Sequence, residues 1–150
     1  MTIRSLVLTA ILLVASNPLP GQWASRSSPV PLWADSALTK AGFWAGYDFT
    51  SRINPVIAYD DLDGDGLWDL ALGIVDKGGR HRGVAIVNQI DRSVHIVGAG
   101  QPLGNGRNEF ANWGLGELLG HRVGVRVEDW HQHGWIVWNG RTYVWVQDSE

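Results

Sequence analysis

Nine residues near the middle of the chain carry its strongest chemical signal: Asp61-Leu62-Asp63-Gly64-Asp65-Gly66-Leu67-Trp68-Asp69. Carboxylates stand at positions 1, 3, 5 and 9 of this stretch, with glycine at position 6. That spacing suits a hard cation such as Ca²⁺, which takes six to eight oxygens at about 2.3–2.6 Å. Alternate residues of a tight loop can aim their side chains inward. Gly66 lets the chain bend sharply enough for Leu67 to offer its backbone carbonyl. The expected ligands are therefore Asp61, Asp63, Asp65 and Asp69 by side chain and Leu67 by main chain. Asp60, Asp61, Asp63, Asp65 and Asp69 are five of the fifteen acidic residues, all within ten positions. Their mutual repulsion opposes a compact loop unless a divalent ion sits among them. A helix–loop–helix calcium site needs a bidentate Glu at position 12, and position 12 here is Leu72. The flanks, Asn54 to Asp60 and Asp69 to Val75, also read as strands. The ion is thus expected to clip a hairpin, not to do catalysis, because four carboxylates and a carbonyl nearly fill its shell.

Other chemistry is weaker. His131 and His133 fall on one side of an extended segment, half of a zinc or copper site that would need His121, His81 or Glu128 to complete it; a polar turn is the preferred reading. Gly114-x-Gly116 followed by Gly120 misses the dinucleotide fingerprint by one residue and follows no predicted strand. No Gly-x-Ser-x-Gly or His-Glu-x-x-His is present. Nothing in the sequence brings acid–base partners such as Glu109 and Asp129 together. Nine tryptophans do stand out. Ile136, Trp138, Tyr143 and Trp145 fall on one face of a predicted C-terminal hairpin, with Arg141 beside them, and Trp135, Val137, Val144 and Val146 on the other. Trp138, Arg141, Tyr143 and Trp145 would make a platform for a sugar or protein partner. Packing into a core is the preferred reading of the same residues.

The elements that must position these groups read mainly as β-structure. Residues 32–45 predict a short helix, with Asp35 or Ser36 available as a cap. Period-two patterns predict strands over 54–60, 69–75, 84–87 and 94–97, a β-meander with tight turns. Residues 98–120 hold seven glycines and predict a long loop with a turn of helix near Glu109 to Trp113. Val123, Val125 and Val127 mark a half-buried strand. Segments 135–138 and 142–146 form the last hairpin, with Asn139-Gly140 predicting a type I′ turn.

Composition narrows the class. The chain of 150 residues is 45% hydrophobic and 18% charged, enough apolar content for one core. Glycine, at 19 residues, is nearly twice its usual share of about 7%. The absence of cysteine removes disulfides, thiolate metal sites and cysteine nucleophiles. A net charge of −3 gives no footprint for nucleic acid. Arg4 ahead of an apolar run from Leu6 to Ala15 predicts a secretory signal peptide. That run is shorter than the roughly 20 apolar residues a transmembrane helix needs. Residues 1–24 are thus expected to be signal peptide and lead-in, with cleavage after Ser16 or Ala24, and 32–150 a single domain without a transmembrane anchor.

The stretch Tyr59 to Gly73 resembles the calcium loop of FG-GAP and VCBS-type repeats, the integrin-α-like family. That resemblance covers about 20 residues and implies ligand roles for Asp61, Asp63, Asp65, Asp69 and the Leu67 carbonyl. It implies a loop joining two strands of a propeller blade. The Phe-Gly and Gly-Ala-Pro elements are missing, and one loop cannot make a propeller of at least four blades. The region from Ile96 to Phe110 and the Trp138 to Tyr143 ending are similar to small bacterial secreted proteins, which implies no activity. The expectation is a small, mainly β domain, an antiparallel meander or sandwich with a calcium-loop hairpin. It would be a secreted or periplasmic calcium-binding structural or interaction module, non-enzymatic, with a protein or glycan partner. A carbohydrate-binding module using the tryptophans is the second reading, and a small secreted hydrolase with its site in 98–121 the third.

Overall fold

The computed structural model describes residues 30–118, 122–129 and 132–148; the predicted signal peptide lies outside them. Two short helices, α1 (Leu32–Lys40) and α2 (Phe43–Gly46), precede nine strands: β1 (Tyr47–Phe49), β2 (Ile57–Asp60), β3 (Asp69–Asp76), β4 (Arg82–Val87), β5 (Val94–Gly98), β6 (Trp113–Leu118), β7 (Arg122–Asp129), β8 (Gln132–Trp138) and β9 (Tyr143–Gln147). They form two antiparallel sheets. The first has the order β1-β3-β4-β5, with β2 also pairing β3, and the second runs β6-β7-β8-β9. The mainly β expectation is met, with the two short helices it allowed.

Three layers follow from the pleat of the first sheet. Leu70, Leu72, Ile74, Ala85 and Val87 are buried on the face that packs against Ala34, Ala37 and Leu38 of α1 and Phe43 of α2. Ala71, Val84 and Ile86 point the other way, into a second core with Val125, Val127 and Ile136 of the second sheet. A strand buried on both faces loses the wet side that alternation normally reports. The central strand β3 accordingly carries six consecutive buried residues, Asp69 to Ile74.

Several elements differ from the sequence reading. The 32–45 helix is two pieces, because Gly42 turns left-handed at φ 72°. Neither Asp35 nor Ser36 caps α1: the N-cap is Pro31, whose missing N–H costs nothing where that donor would have no helical partner. The predicted turn of helix at 109–113 does not form, and residues 113–118 are an edge strand instead. Gly114 and Gly116 hid its period by leaving one face without side chains. His133 lies in β8, opposite Glu128, and not in a turn; His131 and His121 fall outside the described residues. The last hairpin does not use a type I′ turn. Gly140 has φ 93° but Asn139 is not left-handed. Instead the Asn139 Oδ1 accepts the N–H groups of Arg141 and Thr142, an Asx turn inside a four-residue loop.

The β3–β4 turn is held by one carboxylate. Asp76 Oδ1 accepts the N–H groups of Arg80 (2.7 Å) and His81 (3.1 Å), and its Oδ2 lies 3.0 Å from His81 Nδ1. These bonds, those from His81 first, hold the Asp76 carboxyl down at about 2. A depressed folded value adds stability that is present above the ordinary pKa of 3.8 and is lost as the pH falls through about 2. Asp76→Asn should therefore lower the urea midpoint at pH 7, with the gap to wild type shrinking between pH 4 and pH 2. An equal gap at all three pH values would show that the charge of Asp76 contributes nothing.

Candidate functional site

The acidic segment joins β2 to β3 as the tip of a hairpin whose last pair is Asp60 opposite Asp69. Within it, main-chain donors and side-chain oxygens interlock. Asp61 Oδ1 and Oδ2 accept from Gly64 (2.8 Å) and Gly66 (3.0 Å), Asp63 Oδ1 from Asp65 (3.1 Å), and Asp65 Oδ1 from Leu67 (2.8 Å). Gly64 and Gly66 sit at φ 82° and 90°, where a Cβ would be strained. Successive turns of this kind gather one carboxylate oxygen each from Asp61, Asp63 and Asp65 within 4.8 Å of one another. Oxygens this close together form a cluster capable of chelating a cation. Burial, with the charges of Asp65, Asp61 and Asp91 behind it, pushes the Asp63 carboxyl up, against the Asp65 N–H that it accepts. That is the strain a bound cation would relieve.

Asp69 stands apart from the three. It is fully buried. Its Oδ2 accepts the N–H groups of Leu62 (2.9 Å) and Asp63 (3.2 Å), and its Oδ1 accepts that of Gln89 (2.8 Å). The side chain thereby ties the base of the acidic loop to the β4–β5 turn. Burial pushes its carboxyl up to about 6 despite those donors. Leu67, the predicted carbonyl donor, is exposed, as is Trp68 beside it at 68%.

The aromatic residues of the C-terminal hairpin come to the same end of the molecule. Ile136 faces Trp145, and Trp138 faces Tyr143. Tyr143 and Trp145 pack on the core between the sheets. A Cβ on Gly134 would collide with the Trp145 indole, so the missing side chain there is what admits the ring. Trp138 and Tyr143 meet the His95 ring of β5 edge-on, at centroid distances of 5.3 and 5.2 Å. The Tyr143 hydroxyl donates to Asn88 Oδ1 at 2.9 Å, and burial, then the charges of Asp69, Asp63 and Asp91, raises its pKa. Burial also lowers the pKa of His95 against the pull of Asp91. The aromatic face is therefore half-buried packing that bridges the two sheets, while Arg141 lies exposed in the turn.

These two features share a cleft of about 460 Å³. One wall is Asp61, Leu62, Asp63 and Gly64, and the other is Val123, Trp138, Asn139 and Gly140. Residues 61–64 and 138–140 are more than seventy positions apart in the chain. Only the packing of one sheet on the other brings them together. His95 and Asn88 were not singled out from the sequence. Each lies in or beside a short strand with no motif around it, so no local signal marked them. In comparisons with protein-family models, curated proteins and solved structures, nothing matches this chain. No helix among the described residues is long and apolar enough to cross a membrane.

Proposed function

We propose that this protein is a secreted or periplasmic calcium-binding module, structural or interactive and not enzymatic, in which the ion orders the 61–69 hairpin loop. The observation that carries the reading is the convergence of the Asp61, Asp63 and Asp65 carboxylates within 4.8 Å at a tip whose backbone donors already hold them in place. The resemblance of this loop to the integrin-α-like calcium repeat supports the same ion. Asp61 and Asp63 also form a wall of the cleft that Trp138 closes. Ordering the loop would thus shape the surface offered to a protein or glycan partner there.

Extracellular calcium modules bind at roughly 10⁻⁴–10⁻³ M, so the affinity should fall in that range. Calcium at a hundred times the dissociation constant stabilises a folded protein by about 2.7 kcal/mol. Thermal unfolding should accordingly rise with CaCl₂ and return with EDTA. Asp63→Ala and Asp65→Ala should each abolish the response, and calorimetry should give one site. Unfolding curves that overlay in CaCl₂ and EDTA would end this reading.

A further inference from the structure

We propose that Asn139 is a self-modification site, at which the fold promotes conversion of the carboxamide to aspartate or isoaspartate. Asn139-Gly140 stands in the exposed loop between β8 and β9. The reaction needs the main-chain nitrogen of the following residue to reach the side-chain carbon, and three other asparagines are denied it. Asn54 precedes Pro55, which has no N–H to give up. The N–H after Asn88 is tied to Asp69 Oδ1 at 2.8 Å, and that after Asn112 to the Asn54 carbonyl at 3.2 Å. The Gly140 N–H has no partner among the described residues, and a Cβ on Gly140 would meet nothing within 4 Å. The nitrogen and the space for a five-membered ring are both free.

What the loop adds is a pair of donors. Asn139 Oδ1 accepts the Arg141 N–H at 3.0 Å and the Thr142 N–H at 2.9 Å. When the Gly140 nitrogen attacks Asn139 Cγ, the N–Cγ bond forms and the nitrogen gives its proton to water. The negative charge that develops on Oδ1 falls where those two N–H groups already point, the arrangement that stabilises a tetrahedral oxyanion. The Cγ–Nδ2 bond then breaks, and Nδ2 takes a proton from water and leaves as ammonia. Water adds to either carbonyl of the resulting succinimide and opens it. An amide is thus exchanged for a carboxylate with no change of oxidation state. Asn139 lines the cleft of about 460 Å³ whose other wall holds Asp61 and Asp63, so that cleft becomes more acidic as the protein ages.

The test incubates three samples side by side near neutral pH and maps them by mass spectrometry. They are the folded protein, the protein unfolded in guanidinium chloride, and a synthetic peptide of residues 135–146. Asn139 should convert several-fold faster in the folded protein than in the other two, because only the fold holds both donors on Oδ1. Ion exchange should resolve the product by its added negative charge. Asn139→Gln, which would have to close a larger ring, should abolish that species. Equal or slower conversion in the folded protein overturns the inference, since the turn then restrains the side chain instead of assisting it. Conversion that starts at Asn105-Gly106, the other Asn-Gly pair of the chain, overturns it as well.

Discussion

Asp69→Ala is expected to destabilise the domain by about 2–4 kcal/mol, measured by urea unfolding at pH 7 in EDTA. The substitution strands three main-chain donors, those of Leu62, Asp63 and Gln89, and a buried donor without a partner costs about 1–3 kcal/mol. The full sum is not reached, because the turn at Gln89 is half-buried and water can take its N–H. Losing the carboxylate also relieves its repulsion with Asp63. Asp69→Asn keeps one acceptor oxygen and should cost about half as much. Asp63→Ala in the same buffer should cost less, under about 1 kcal/mol, since it loses one solvent-exposed hydrogen bond, that from the Asp65 N–H, and relieves the repulsion with Asp65 and Asp61. The contrast separates anchoring from ion binding: Asp69 holds the loop with or without a cation, and Asp63 matters when calcium is added. Equal losses for Asp69→Ala and Asp63→Ala in EDTA would remove the anchoring role.

Phe110→Ala should cost about 3–5 kcal/mol, the range for truncating a buried aromatic ring. Phe110 is 1% exposed and sits in the core between the sheets with Leu103. Its N–H donates to the Arg82 carbonyl of β4 (3.2 Å), which also accepts from Ala99 (2.9 Å). The ring edge lies close enough to Gly98 that a Cβ there would stand 2.9 Å from it. The connection from β5 to β6 is thus a staple that carries the chain from one sheet to the other and plugs the space between them. A cavity left by the ring cannot close, since Ile53, Val84 and Ile86 around it belong to a packed sheet core. Chemical denaturation of the variant measures the loss, and a cost below about 1 kcal/mol would mean that the connection is not part of the core.

The glycine-rich run from 98 onward shows where local reading stops. Seven glycines suggested one loop, yet Trp113 to Leu118 pairs along its length with β7. Gly116 is small because the Trp135 indole lies over it, a demand set by a residue nineteen positions away. No window around Gly116 contains that demand. The central strand failed in the opposite sense: its apolar run, Leu70 to Ile74, was legible as a strand, but the burial of both faces depended on α1 and on a second sheet.

What the residues determined by themselves was the acidic hairpin. Aspartates at alternate positions with Gly64 and Gly66 between them close on their own N–H groups, so the information is local. The strand periods around it are local in the same way, since a pleat repeats every two residues. Tertiary structure alone decided the rest. It assigned Asp69 to the Gln89 turn, turned Trp138 and Tyr143 onto His95, and set Trp138 across a cleft from Asp61 and Asp63. It also gathered Asn54, Trp113 and Arg126 into a second cleft. Each of these contacts joins segments that share no local pattern, and they meet because two sheets must bury their apolar faces against each other.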